Sequence, residues 1–189
     1  DTEKAASIIA AYAEELKKAY ATTDGAVAAE VSSVEMPEQV FTGELQTRIV
    51  NFAALLPNGV NTMSQRVSGL VESSSNLGAV QADASGVEFV VGVRSSVQAH
   101  MDVILLRQTR LAAFCGFDSE MTCGSDAWPV DVDAELPGLL CEIYKEQTGK
   151  DMVVESVHAG LECGTFARMN EEIDMVCIGA QIDGAHTTA

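Results

Sequence analysis

Residues 71–96 read VESSSNLGAVQADASGVEFVVGVRSS, and their alternation decides the fold of the first half of the chain. Successive strand side chains point to opposite faces. Val71, Leu77 and Ala79 therefore share one face of a first strand, opposite Glu72, Ser74, Asn76 and Gly78. In a second strand Val87, Phe89, Val91 and Val93 share a face, opposite Glu88, Val90, Gly92 and Arg94. Asp83-Ala84-Ser85-Gly86 between them carries turn-forming residues. The pattern predicts a β-hairpin with strands over 69–80 and 86–95, apolar on one side and polar on the other.

Working outward, Val97, Met101, Ile104, Leu105, Leu111, Ala112 and Cys115 repeat at helical spacing, with Gly116 beyond. Upstream, Leu45, Ile49, Phe52 and Leu56 predict a helix over 42–56, stopped by Pro57-Asn58-Gly59. Residues 26–36 alternate weakly and are expected as a strand, and 117–125 as another. The chain opens on an amphipathic stripe of Ile8, Ile9, Tyr12, Leu16 and Tyr20, a helix ending at Thr22-Thr23-Asp24-Gly25. This order predicts an α+β domain in which helices pack on one face of an antiparallel sheet.

The character changes near Trp128-Pro129. A helix is expected over 137–148, with Pro137 in its first turn and Gly149 past its end. The apolar runs 153–157 and 174–179, separated by a short helix around Phe166, read as strands of a parallel α/β sheet. A domain boundary is placed there, giving 1–127 and 128–189.

Composition bounds the function. The net charge of −17 argues against nucleic acid or an anionic membrane surface as partner, since both call for clustered Lys and Arg. No apolar run approaches the roughly 20 residues that a membrane helix needs. Five cysteines without a C-x-x-C pair suggest reduced thiols in a cytoplasmic protein.

Asn76 and Arg94 fall on the polar faces of the two hairpin strands, with residue 85 midway between them. A simple hairpin makes them cross-strand neighbours to within a residue. An amide beside a guanidinium suits a carboxylate or a developing oxyanion. The alternative is a solvated face with Arg94 paired to Glu88 or Glu72. His158 and Glu162 lie at the end of an expected strand, where α/β proteins place binding groups, or in an ordinary glycine-containing turn. His158 with Cys163 could also suggest a thiol nucleophile and base, but no third orienting residue is evident. A lone histidine such as His186 is usually not a metal ligand.

Taken together, "LPNGV", "VESSSNLGAV", "VRSS", "VHAGLECGTF" and "DMVCIGAQIDGAH" resemble successive segments of the aminoacyl-histidine dipeptidases, two-zinc enzymes related to succinyl-diaminopimelate desuccinylase and carboxypeptidase G. The resemblance implies a zinc catalytic domain interrupted by an inserted lid. Residues 1–127 would be most of a lid and dimerisation domain, and 128–189 part of the catalytic domain. It implies that Asn76 and Arg94 bind the substrate carboxylate or the tetrahedral intermediate, that Glu162 meets the dipeptide's amino group, that His158 helps shape the pocket, and that His186 ligates one of two zinc ions. After that histidine Thr187 fits the family, whereas Thr188 and Ala189 do not. The other zinc ligands and the general-base Glu of the family match nothing here. The expectation is therefore a piece of an Xaa-His dipeptidase, acting as a homodimer and inactive by itself. A non-catalytic dimerisation or interaction module is the alternative.

Overall fold

The computed structural model describes residues 2–122, 124, 126–170 and 172–179. Contacts divide the chain into two compact units, one up to Val40 and one from Phe41 onward. The first consists of α1 (Thr2–Ala19) and the irregular segment after it. Glu3 lies in the first turn of α1 and Lys17 and Lys18 in its last, each opposite in sign to the adjoining helix end. No described residue of α1 is buried, and Ile8, Ile9 and Tyr12 are exposed. Residues 26–36 do not form the expected strand. Their alternation is carried largely by alanine and valine, and β propensity alone makes no ladder without a paired edge.

In the second unit, the Thr42 hydroxyl accepts the Leu45 N–H at 3.2 Å and starts α2 (Gly43–Leu55). Three antiparallel strands follow: β1 (Gly59–Met63), β2 (Val71–Asp83) and β3 (Gly86–Ser95), in the order β1-β2-β3. The Asp83 carboxylate closes the hairpin by accepting the backbone N–H groups of Ser85 at 2.7 Å and Gly86 at 3.2 Å. The Ser85 hydroxyl also donates to it, and this bond leads the set that holds the Asp83 carboxyl below its ordinary range. α3 (Gln98–Phe114) then packs on β2 and β3.

The core lies between the sheet and the two helices. Phe52 and Leu56 come from the α2 end, and Ala112 and Cys115 from the α3 end. Leu77, Phe89, Val91, Leu111 and Phe117 pack around them. Phe52 centres the group, with ring centroids 4.7 Å from Phe89 and 5.5 Å from Phe117. The helices thus cover one face of the antiparallel sheet, as the sequence predicts.

Two details of the hairpin differ from its simple form. β2 carries a bulge between Leu77 and Ala79, so Leu77 opposes Val91 while Ala79 opposes Val90. Directly opposed residues share a face, so Ala79 points away from Leu77, not with it. Strand β1 also escapes a sequence reading that takes Gly59 as a stop.

At the start of β2 the helix-facing side is lined by hydroxyls. Ser73 and Ser75 are fully buried. Ser73 Oγ meets Thr62 Oγ1 at 2.5 Å, and Ser75 Oγ donates to the Pro57 carbonyl at 2.7 Å. Each buried hydroxyl is thereby satisfied.

Beyond residue 128, α4 (Leu136–Thr148) carries Pro137 in its first turn and is capped by Gly149, left-handed at φ 72°. Asp174 Oδ2 accepts the backbone N–H groups of Glu135 at 3.1 Å and Leu136 at 2.8 Å, satisfying donors at the N-terminal end of α4. α5 (Glu162–Met169) is held by Arg168 Nε, 2.8 Å from Asp126 Oδ1. The parallel α/β sheet expected for this half does not appear among the described residues. Residues 153–157 and 174–179, and the described part of 117–125, form no strand. A buried parallel strand needs neighbours on its edges and cover on its faces. Val153, Val154 and Val157 are instead 77%, 60% and 59% exposed. Among the described residues no helix is long and apolar enough to cross a membrane.

Candidate functional site

The sheet face away from α2 and α3 carries the polar residues. Ser73, Ser75 and Leu77 turn toward the helices, so Ser74 and Asn76 turn outward. Across the ladder Ser74 opposes Arg94, and Asn76 opposes Gly92. Asn76 and Arg94 therefore share a face as diagonal neighbours, two positions from direct opposition. The two-residue turn and the bulge past Leu77 together account for the offset. Long side chains still reach each other across such a diagonal, and Gly92 leaves the space in front of Asn76 open.

The third expected residue arrives from the far end of the chain. His158 Nε2 lies 2.7 Å from Ser74 Oγ. Burial holds its pKa below the ordinary 6.5, and the Arg94 charge adds to the effect, while a backbone hydrogen bond with Val71 opposes them. The imidazole is thus kept neutral and can donate or accept, with the Ser74 hydroxyl rotating to suit its tautomer. Ser74 is the residue that the sequence reading passed over. Its place between Glu72 and Asn76 put it on the polar face, but nothing local marked it as a partner of His158.

Among the described residues no carboxylate lies within 4.0 Å of the Arg94 guanidinium. The sequence alternatives fail for a visible reason at Glu72: its carboxylate sits 3.0 Å from Nδ1 of His100 on α3, close enough for an ion pair though misaligned for a hydrogen bond. Glu162 is exposed in the first turn of α5, where the helix dipole favours a carboxylate. His186 lies outside the described residues. Among the described residues no group of three or more His, Cys, Asp or Glu is placed to hold a metal ion. A zinc site, which needs about three protein ligands, is not met by these side chains.

The arrangement offers a guanidinium unpaired among the described residues, a side-chain amide and a neutral imidazole on one side of a sheet. Such a set can bind a carboxylate or an oxyanion and supply a hydrogen bond beside it. No family model matches the chain. It is similar to the cytosol non-specific dipeptidase of Escherichia coli (strain K12), with 29% identity over 181 residues, covering 96% of this chain and 37% of that protein. Its structure superposes on the crystal structure of aminoacylhistidine dipeptidase from Vibrio alginolyticus with a TM-score of 0.85 and 27% identity, covering 98% of this chain and 38% of that one. The chain thus spans little more than a third of the length of these dipeptidases, and the family resemblance seen in its motifs extends over nearly all of it.

Proposed function

We propose that this chain forms the substrate-gripping side of a zinc dipeptidase that hydrolyses Xaa-His dipeptides. The observation that carries the reading is the convergence of Arg94 and His158 at Ser74, on the face that also bears Asn76, in a chain similar to dipeptidases along 96% of its length.

Arg94 and Asn76 receive the carboxylate end of the dipeptide or the oxyanion that forms at the scissile carbonyl. With no carboxylate among the described residues paired to it, the guanidinium gives its donors to the incoming group. His158, held neutral, shapes the pocket and adds a hydrogen bond without a second positive charge. Glu162 meets the substrate's amino group as an exposed anion.

Residues 1–127 then belong to a lid and dimerisation domain and 128–189 to part of the catalytic domain of a cytoplasmic homodimer. When bound, the two zinc ions implied by the family resemblance supply a polarised carbonyl and an activated water. His186 is the ligand this chain contributes. The described side chains do not form the metal's site, and the family's general-base Glu matches no residue of this chain.

The test is kinetic, in a full-length enzyme carrying these residues. Arg94→Ala lowers kcat/KM toward an Xaa-His dipeptide by about 2–4 kcal/mol, the range for losing an oxyanion donor. Unchanged kinetics remove Arg94 from the site. Equal kcat/KM for Xaa-His and other dipeptides removes the preference for histidine.

A further inference from the structure

We propose that Ser74 is a positioning residue of the substrate site: its hydroxyl, presented from a strand paired on both edges, holds the His158 imidazole beside Arg94. The kinetic consequence rests on the dipeptidase reading, whereas the tie itself does not.

The two partners differ in how firmly their own surroundings fix them. Ser74 lies in β2, the middle strand of the sheet, opposite Val60 on β1 and Arg94 on β3. Its neighbours Ser73 and Ser75 are buried and bonded to Thr62 and Pro57, and Asn61 Nδ2 donates to the Ser75 hydroxyl at 3.0 Å. The backbone of Ser74 is thus set from both edges and from the buried face, and one side-chain torsion aims its hydroxyl.

His158 has no such frame. The segment 151–161 around it forms no helix or strand. The next regular element, α5, begins at Glu162 and is seated at Gly164, where an added Cβ would overlap the Asp126 carbonyl oxygen. That seat lies beyond Glu162 and leaves the imidazole to be placed by other contacts. The bond between His158 Nε2 and Ser74 Oγ, at 2.7 Å, supplies one. Because Ser74 is the ladder partner of Arg94, the same bond brings the ring to the guanidinium, whose charge is felt at the imidazole.

A hydroxyl suits this task for a chemical reason. A neutral imidazole has one N–H and one lone pair, and its hydrogen-bond partners set which nitrogen carries which. Serine can donate to Nε2 or accept from it, so it holds the ring without adding charge. A carboxylate in its place would pair with Arg94 and favour a proton on the ring. An alanine would leave the ring untethered.

The test has two arms. In the chain, His158 is titrated by NMR, with urea unfolding to show that each variant is folded. Ser74→Ala should raise the His158 pKa toward the ordinary 6.5, and Arg94→Gln should then add little to it. Ser74→Thr keeps the hydroxyl and should keep the depressed value. Ser74→Val has the shape of Ser74→Thr without the hydroxyl and should behave as Ser74→Ala, so the comparison survives if the alanine variant fails to fold.

In a full-length dipeptidase carrying these residues, Ser74→Ala should lower kcat/KM roughly 10- to 100-fold, the scale for misplacing a group that meets the substrate. Ser74→Thr should restore most of it. With His158→Asn already present, Ser74→Ala should cost less than about twofold. An unmoved His158 pKa in Ser74→Ala or Ser74→Val overturns the proposal whatever the kinetics. So does a moved pKa with unchanged kinetics, or a loss as large without His158 as with it. Unchanged kinetics in Arg94→Ala remove the dipeptidase reading and the positioning role with it, while the titration still reports the tie.

Discussion

The hydroxyl of Ser74 lies 2.7 Å from Nε2 of His158, a contact that spans 84 positions of the chain. Ser74 is also the ladder partner of Arg94. Strand register therefore places the guanidinium beside the imidazole, and the electrostatics of one constrains the other. A protonated His158 would lose hydration through burial and face a fixed positive charge, so the neutral ring is favoured on both counts.

That arrangement predicts a titration. Followed by NMR among the chain's three histidines, with His158→Asn to assign it, His158 should titrate below 6.5. Arg94→Gln should raise its pKa but leave it below 6.5, since burial, the larger cause, remains. The folded-state pKa is the depressed one, so the associated stability is present above the unfolded value and is lost as pH falls through the folded one. A His158 that titrates at or above 6.5 would show that it does not sit beside Arg94.

Much of the sheet-and-helix region is legible in the sequence because its signals are local. Phe52 and Leu56 repeat along α2, Phe89 and Val91 alternate along β3, and each pattern needs only its own element. The bulge after Leu77 is not marked that way. It inserts a position into one strand, and it contributes to setting Asn76 diagonal to Arg94. The Ser74–His158 contact is less legible still, since no periodicity links a strand residue to a loop residue so far away. The valines at 153, 154 and 157 fail in the opposite sense. They read as a buried strand, yet the strand state depends on a neighbouring edge that their own sequence cannot specify.

Phe52 should be the costliest single truncation in the core. It is 5% exposed and touches the rings of both Phe89 and Phe117. Phe52→Ala should lose about 3–5 kcal/mol, transfer and cavity terms together. Urea unfolding followed by circular dichroism measures this, and a loss below about 1 kcal/mol would mean that the three-ring group is not the centre of the core.

Gly164→Ala should loosen α5. The new Cβ meets the backbone of Asp126, and no side-chain rotation relieves an overlap with a carbonyl oxygen. The helix must shift, which also disturbs the Arg168–Asp126 ion pair. Limited trypsin cleavage after Arg168 should accelerate by roughly tenfold, equivalent to about 1.4 kcal/mol in the opening equilibrium. An unchanged cleavage rate would place α5 away from Asp126.

Arg48 and Gly116 should lose stability less than additively when both are replaced. Arg48 Nε donates to the Cys115 carbonyl at 2.6 Å, its Nη2 donates to the Gly116 carbonyl, and its guanidinium lies 5.4 Å from the Phe117 ring centroid. It therefore holds the carbonyl end of α3 while stacking on the core. Removing it in Arg48→Ala should cost about 1–2 kcal/mol, the value for charged hydrogen bonds reduced for partial exposure. Gly116 adopts φ 74°, and a Cβ there would run into the same guanidinium. Gly116→Ala should then cost about 1–2 kcal/mol in backbone strain and additionally displace Arg48. Once the arginine has left its seat, deleting it removes little more, so the double variant should retain about 0.5–1 kcal/mol over the sum of the singles. Urea titrations of all four proteins measure that coupling, and additivity within about 0.3 kcal/mol would separate the two residues.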